Sequence, residues 1–344
     1  MKDLEGKIAL VTGASRGLGR GIAEVLAEKG ASVIANYRTD TAHAQSICEE
    51  IRAKGGTAVP FQADVGKAEE VKKLFDFVKS EFGRLDILVN NAGTTKAQDI
   101  FETSEADWDF IIQTNLKSLF LMCKSAMEIM REQKSGRIIN MSSIVAYRGA
   151  LFGHVHYAAT KAGILGVTRT LARTGAPYNI TVNALAPGII ETELLFQTHG
   201  AEGVAKLAKT VPLGLGKTRD VGLAAAFLAG EGGRYLTGLC LDITGGMIFH
   251  CFIFRAEPPS LPAGSARRRY FFKTRLNFRN NGLYCYCRGS PDASDCLYRI
   301  EYRLSCGIRS VPPPGEIRKP IPRFRNNPKS GWAFCCYNCN RGSR

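Results

Sequence analysis

Over the first 247 positions, short apolar runs alternate with longer stretches whose apolar residues recur every three or four positions. Ile8-Ala9-Leu10-Val11 is a run of the first kind and ends in a glycine turn, the pattern of a buried parallel strand. Gly17 to Lys29 is of the second kind: Leu18, Ile22, Val25 and Leu26 share one helical face, and Gly30 stops the helix. The alternation continues with a strand at 32–35, a helix at 41–54 closed by Gly55-Gly56, and a strand at 58–62 leading into Asp64. A helix at 71–82 follows, then a strand at 86–89, one long helix at 105–133 and a strand at 137–141. A helix carrying Tyr157 precedes further strands at 181–185 and 239–243. Strands that alternate with helices predict an α/β fold, a Rossmann-like doubly wound sheet of seven parallel strands with helices on both faces. Ligands of such sheets bind beyond the carboxyl ends of the strands, so chemistry is expected there.

Composition divides the chain at one point. The formal net charge is +15, which would ordinarily suggest an acidic partner such as nucleic acid. Residues 1–247 hold 28 Lys/Arg against 26 Asp/Glu, a net of +2, whereas residues 248–344 hold 18 against 5, a net of +13. Eight of 11 cysteines and ten of 14 prolines also lie in the second part, where neither helical nor strand periodicity is sustained. We therefore read 1–247 as one domain and 248–344 as a basic, Cys/Pro-rich tail, expected to be largely disordered. For the tail, three readings stay open. One is a nucleic-acid arm built on Arg267-Arg268-Arg269 and Tyr270, Phe271 and Phe272; such an arm would make the protein a non-catalytic nucleic-acid binder. Another is a zinc module on Cys285, Cys287, Cys296 and Cys306, whose spacing matches no standard zinc pattern. The last is sequence from read-through or a frameshift, which the abrupt shift in composition favours. The N-terminus has no apolar signal core and no run approaches a membrane span, so a cytoplasmic enzyme is expected, with no metal site.

Between the first strand and helix, Gly13, Ser15, Arg16, Gly17, Leu18 and Gly19 form a glycine-rich turn. Its position inside a strand-helix-strand unit suits a dinucleotide, because the glycines admit the pyrophosphate and the helix N-terminus offers unpaired N–H groups. The second strand ends in Asn36-Tyr37-Arg38, without the carboxylate that would hold ribose hydroxyls and repel a 2′-phosphate. Arg16 and Arg38 could pair with that phosphate, so NADP(H) is the expected cofactor.

Tyr157 and Lys161 are four residues apart and share a helix face. Carbonyl reduction needs a proton for oxygen, and a free tyrosine with a pKa of ~10 is poorly placed to exchange it at neutral pH. A lysine ammonium one turn away favours the phenolate, which makes Tyr157 the expected general acid and Lys161 its tuner. Either Ser142 or Ser143, at the end of the fifth strand, could bond the substrate carbonyl. Alternation along a strand lets only one of them face the pocket.

The glycine turn, Asn90-Asn91-Ala92-Gly93 and the Ser-Tyr-Lys set together resemble the short-chain dehydrogenase/reductase family, most closely its 3-oxoacyl-acyl-carrier-protein reductases. The resemblance covers about residues 4–247. It implies that Asp64 and Val65 contact the adenine, that Asn91, Ala92 and Gly93 lie along the cofactor, and that Pro187, Gly188, Ile190 and Thr192 hold the nicotinamide. It further implies that Ser143, the serine followed by the apolar Ile144, is the one that faces the pocket, that Asn115 supports a proton-relay water, that Lys161 grips the nicotinamide ribose, that residues 189–211 form a mobile lid, and that the protein is a homotetramer. A 3-oxoacyl thioester is the expected substrate, with a sugar or secondary alcohol as the competing one. Arg131, Lys134 and Arg137 could meet an acidic carrier protein, or could be ordinary solvated charge. Arg173-Thr174-Gly175-Ala176 looks like an early break in the helix after Lys161.

Overall fold

The computed structural model describes residues 3–150 and 153–249, and beyond them the backbone of three strands. The chain divides into two compact units, Met1–Ile253 and Phe254–Arg344.

In the first unit, strands β1 (Ile8–Val11), β2 (Ser32–Tyr37), β3 (Thr57–Gln62), β4 (Ile87–Asn90), β5 (Gly136–Met141) and β6 (Ile180–Pro187) lie in one sheet. Two short strands, β7 (Ile190–Glu191) and β8 (Gly216–Lys217), pair with each other, and β9 (Cys240–Ile243) completes the main sheet. The order of the main sheet is β3-β2-β1-β4-β5-β6-β9, all neighbours parallel. Strand order therefore reverses between β1 and β4, and a crevice opens there beyond the strand ends. This is the seven-stranded doubly wound sheet expected from the alternating pattern. Pro60 is accommodated because β3 is an edge strand.

Helices α1 (Gly17–Glu28), α2 (Thr41–Ala53) and α3 (Ala68–Phe82) match the predicted segments closely. The helix expected at 105–133 is continuous but carries a flaw: α4 (Glu105–Ile112) passes through a π-helical turn, Gln113–Lys117, into α5 (Ser118–Gln133). Single π turns of this kind recur at functional sites, since they re-aim the residues they carry. A short α6 (Val145–Arg148) precedes α7 (Val155–Gly175). The break foreseen at Arg173 to Ala176 falls there, since α7 ends at Gly175 and a 3₁₀ turn follows at Ala176–Tyr178. Gly175 also serves close packing: a Cβ there would stand 3.0 Å from Ile180.

Sequence periodicity missed α8 (Glu193–Ala208) and α9 (Thr218–Ala229). The first is broken at Gly200 (φ 62°), and the second is so rich in alanine that no large apolar stripe marks it. α1 and α9 sit backbone to backbone, because a Cβ on Gly21 would fall 2.6 Å from Thr218 and one on Gly222 would fall 2.7 Å from the Gly21 carbonyl. One apolar core, including Val11, Ile22, Leu26, Val33 and Val221, fills the α1/α2/α9 face of the sheet. The other, including Leu10, Leu74, Met122, Ile138 and Ile164, fills the α3/α5/α7 face.

In the second unit, β10 (Thr274–Phe278), β11 (Asn281–Arg288) and β12 (Leu297–Glu301) form an antiparallel sheet in that order. These strands were not foreseen, since no two-residue period marks them. They lie within the segment expected to be largely disordered, and β11 carries Cys285 and Cys287 of the zinc reading; the basic arm and the other two cysteines lie outside the described residues.

Candidate active site

Most of the candidate residues stand at the carboxyl ends of β1, β4, β5 and β6, around the β1/β4 reversal. The β1–α1 turn takes positive φ at Gly13 (63°) and Gly17 (57°), a conformation side chains resist. Gly19 packs even more tightly, since a Cβ would lie 2.2 Å from the Gly13 carbonyl. Arg16 occupies the N-cap of α1 without capping it, and the first turn of α1 has no acidic residue. The leading N–H groups of α1 thus lack a side-chain acceptor, and the helix dipole adds partial positive charge, so the cradle fits a dinucleotide pyrophosphate. Ser15 is buried, and Leu18 packs against the core, behind the turn.

Thr12, which sequence reasoning passed over, pins this cradle. Its hydroxyl accepts the Asn91 and Ala92 N–H groups, both at 2.9 Å, and donates to the Val89 carbonyl at 3.3 Å. The Asn91 amide donates in return to the Thr12 and Gly13 carbonyls at 2.9 and 3.1 Å. A polar residue closing a buried strand was the available signal. On the other wall, Thr192 caps α8 by accepting the Leu195 N–H, and its methyl lies 3.8 Å from where a Gly17 Cβ would be. Pro187 accepts from Ile144 N–H at 3.1 Å, Gly188 donates to the Ile243 carbonyl at 2.9 Å, and Ile190 is buried in β7. The β6 end is thereby tied to β5 and β9.

Farther from Tyr157, beyond β2 and β3, Arg38 lines a pocket of about 320 Å³ with Phe61, Gln62, Glu70 and Lys73. Asn36 does not offer its amide nitrogen to this pocket, because that nitrogen is spent on the Phe61 and Ala63 carbonyls. Its main-chain carbonyl accepts the Ala14 N–H at 2.9 Å, so Asn36 shapes the glycine turn. Tyr37 and Val65 are buried, while the Asp64 carboxylate accepts the Gly66 N–H at 3.0 Å. Asp40, also missed, is the carboxylate near Arg16; a hydrogen bond from His43 holds it below the usual range, with a smaller contribution from Arg16.

The proton-handling groups converge from β5, the π turn and α7. Ser142 donates to the Lys161 carbonyl at 2.8 Å, whereas the Ser143 hydroxyl accepts the Val145 N–H at 3.3 Å and stands near enough to the Tyr157 phenol to favour its phenolate. Of the two adjacent serines, it is Ser143 that meets the tyrosine. Lys161 is buried, donates from Nζ to the Met141 carbonyl at 2.7 Å, and stands 5.5 Å from the Tyr157 ring centroid. Burial raises the Tyr157 phenol above its ordinary value, opposed by the Ser143 hydroxyl, and lowers the Lys161 ammonium to about 8. Burial is the largest influence on both groups, and each is pushed toward its neutral form.

Asn115 sits in the π turn, buried, with its amide spread across three partners. Its Oδ1 accepts the Thr94 N–H and its Nδ2 donates to the Thr94 carbonyl, both at 2.8 Å, and to the Thr160 hydroxyl at 3.3 Å. Thr160 in turn donates to the Tyr157 carbonyl at 2.7 Å. Gly93 lies against the same asparagine, since a Cβ would meet its Oδ1 at 3.2 Å. Asn115 thus joins the β4 loop to the helix that carries Tyr157.

Over the expected lid, Leu194 and Phe196 of α8 are 63% and 45% exposed, an apolar wall facing outward. The foreseen basic group does not form as three solvated cations. Arg131 and Lys134 are exposed, but Arg137 donates to the Gly136 and Asn179 carbonyls, and burial lowers its guanidinium. Among the described residues, no helix is long and apolar enough to cross a membrane, and no cluster of three metal-ligating side chains occurs.

Residues 13–248 match the family model described as enoyl-(acyl carrier protein) reductase. The chain is 43% identical over 244 residues to a 3-oxoacyl-[acyl-carrier-protein] reductase of Staphylococcus epidermidis, covering 70% of this chain and 98% of the relative. The reductase of the same name from Escherichia coli K12 is 42% identical over 246 residues, covering 71% and 98%. Among solved structures, a candidate short-chain alcohol dehydrogenase from Sinorhizobium meliloti superposes with a TM-score of 0.68 at 39% identity, covering 72% of this chain and 98% of that one.

Proposed function

The chain belongs to the short-chain dehydrogenase/reductase family, and from that premise we propose that it reduces the ketone of a 3-oxoacyl thioester to an alcohol with NADPH. The observation that carries the proposal is the buried Lys161 ammonium 5.5 Å from the Tyr157 ring, with Ser143 beside the phenol, in a fold whose glycine turn is suited to pyrophosphate. The acyl-carrier-protein reductases among its relatives point to the thioester.

In this reading Gly13, Arg16, Gly17 and Gly19 receive the pyrophosphate, and Asp64, Val65 and Asn91 to Gly93 line the nucleotide. Pro187, Gly188, Ile190 and Thr192 wall the nicotinamide end. Arg16 and Arg38 support NADPH: Arg38 lines the pocket beyond β2 and Arg16 stands at the start of α1, and both guanidiniums could pair with a 2′-phosphate. When bound, the cofactor supplies the hydride that the ketone carbon accepts.

Tyr157 gives its phenolic proton to the ketone oxygen as negative charge develops there. Ser143 bonds the same oxygen and fixes the phenol's direction. Lys161 holds a positive charge beside the ring, which stabilises the phenolate left after transfer. Asn115 and Thr160 hold the first turn of α7 against the β4 loop, so the phenol is aimed before substrate arrives. We take residues 1–247 as the catalytic unit. The exposed Leu194 and Phe196 would border an acyl chain.

A sugar or secondary-alcohol substrate is the second reading, favoured by the name of the Sinorhizobium meliloti structure. The test is NADPH consumption by the full chain with 3-oxoacyl thioesters, sugars and simple ketones. A kcat/KM for thioesters no better than for the other classes would overturn the first reading.

A further inference from the structure

α7 carries Tyr157 and Lys161, yet its N-terminus is built in an unusual way. The N-cap residue His154 has left-handed backbone (φ 60°) and makes no side-chain cap. Its imidazole is engaged elsewhere, sharing a 2.8 Å hydrogen bond with the Thr95 hydroxyl and meeting the Tyr157 ring edge-on at 6.5 Å between centroids. The first intrahelical bond runs from Ala158 N–H to the His154 carbonyl, which leaves the Tyr157 N–H among the groups a helix start cannot satisfy internally. His156 satisfies it: the Tyr157 N–H donates to His156 Nδ1 at 2.8 Å, and the imidazole is wholly buried.

We propose that His156 is a positioning residue for the reductase site: as a neutral imidazole accepting the Tyr157 N–H, it stands in for the missing N-cap and holds the phenol in its firing position. The inference rests on the proposed reductase reading for its activity arm alone.

An acceptor Nδ1 puts the single proton of the neutral ring on Nε2, which is buried and finds no acceptor among the described residues. A second proton would have to enter at Nδ1, where it would confront the Tyr157 N–H donor to donor. The groups around the ring do not welcome it. His154 on α7 and Lys96 on the loop after β4 oppose a charge, and Asp107 on α4 alone favours one. Burial is the largest influence, and the imidazole is pushed below its ordinary value. Folded protein therefore takes up this proton at lower pH than unfolded chain does. Stability from the site is intact above the unfolded value of 6.5 and falls away as the medium becomes more acid. Acid should thus loosen the first turn of α7 and misplace Tyr157.

The experiment compares the full chain with His156→Asn and His156→Ala. Asparagine offers an uncharged acceptor at every pH, and alanine offers none. NADPH-dependent turnover and thermal midpoint are followed from about pH 8 to about pH 5, across the ordinary histidine range. The wild type should lose turnover and melt several degrees lower on the acid side. His156→Asn should keep neutral-pH kcat within about threefold and lose most of that acid response, while His156→Ala should drop kcat about tenfold at all pH, the scale of one lost helix cap. An acid response as large in His156→Asn as in wild type overturns the proposal, and so does full turnover in His156→Ala. If alanine prevents folding, the asparagine comparison still decides. If no substrate is turned over, the reductase reading fails by itself, and the acid-side melting difference still decides the role of His156.

Discussion

The Ser142 hydroxyl donates to the Lys161 main-chain carbonyl at 2.8 Å, so this serine buttresses the helix that carries Tyr157, and the proposed substrate contact is left to Ser143. Substitution should separate the two roles. Ser142→Ala removes a buried bond and should cost about 1 kcal/mol of stability, with kcat changed by less than about fivefold. Ser143→Ala should leave the melting point nearly unmoved and lower kcat by about a hundredfold, as loss of an oxyanion-type donor does. Denaturant melts and steady-state kinetics on both variants check this, and equal effects on kcat would refute the division.

Tyr157→Phe keeps the ring against Lys161 and removes only the hydroxyl beside Ser143. General acid catalysis typically contributes about 10²–10⁴-fold, and kcat should fall by that order. NADPH affinity, followed by cofactor fluorescence, should change by less than about threefold, because the pyrophosphate cradle lies on a different element.

Lys161 gives opposite pH trends for rate and stability. Burial lowers its ammonium from 10.5 to about 8, so the folded protein sheds this proton while the unfolded chain still keeps it. Stability should therefore rise between about pH 8 and about pH 10.5, where the unfolded state binds more protons. The rate should do the reverse, with kcat/KM for NADPH falling as pH rises past about 8 and the cation beside the phenol is lost. Melting curves and kinetics across that window test both signs, and Lys161→Met should abolish the stability trend.

Arg38 is exposed at the pocket beyond β2, which it lines together with Lys73 and Glu70. Arg38→Asp should weaken NADPH by about tenfold or more while leaving NADH within a few-fold, since only NADPH carries the 2′-phosphate. Isothermal titration with both cofactors measures the ratio, and an unaltered preference would remove Arg38 from the site.

Much of this was legible because strand ends announce themselves. Buried parallel strands are continuous apolar runs, and the polar residues that close them, from Asn90-Asn91 to Ser142-Ser143, mark the crevice. Asn115 was identified by its resemblance to a family motif, but the π turn that aims it left no trace in the periodicity of 105–133. Thr12 and Thr160 were missed for another reason. Thr12 accepts main-chain N–H groups of Asn91 and Ala92, and Thr160 accepts from the Asn115 side chain, partners that no local spacing encodes. The desolvation of Tyr157 and Lys161 was not legible, because residue spacing reports proximity alone. Helix α9 went unread because it packs by having little side chain at its contact.

That last contact yields a prediction that reaches from packing to cofactor binding. Gly222 of α9 lies so close to α1 that a Cβ would stand 2.7 Å from both the Gly21 carbonyl and Val25 Cγ2. A main-chain carbonyl cannot swing aside as a flexible side chain can, so Gly222→Ala must push the helices apart. Overpacking of this kind costs about 1–3 kcal/mol, more than the gain in helix propensity of about 1 kcal/mol that alanine brings. Since α1 begins at the glycine turn, its displacement should also tilt the N–H groups that face the pyrophosphate. Gly222→Ala should therefore melt earlier and bind NADPH several-fold more weakly, although residue 222 lies in α9, outside the cradle itself. A variant as stable as wild type, with unchanged cofactor affinity, would mean that the α1/α9 contact yields freely and does not set the geometry of the cradle.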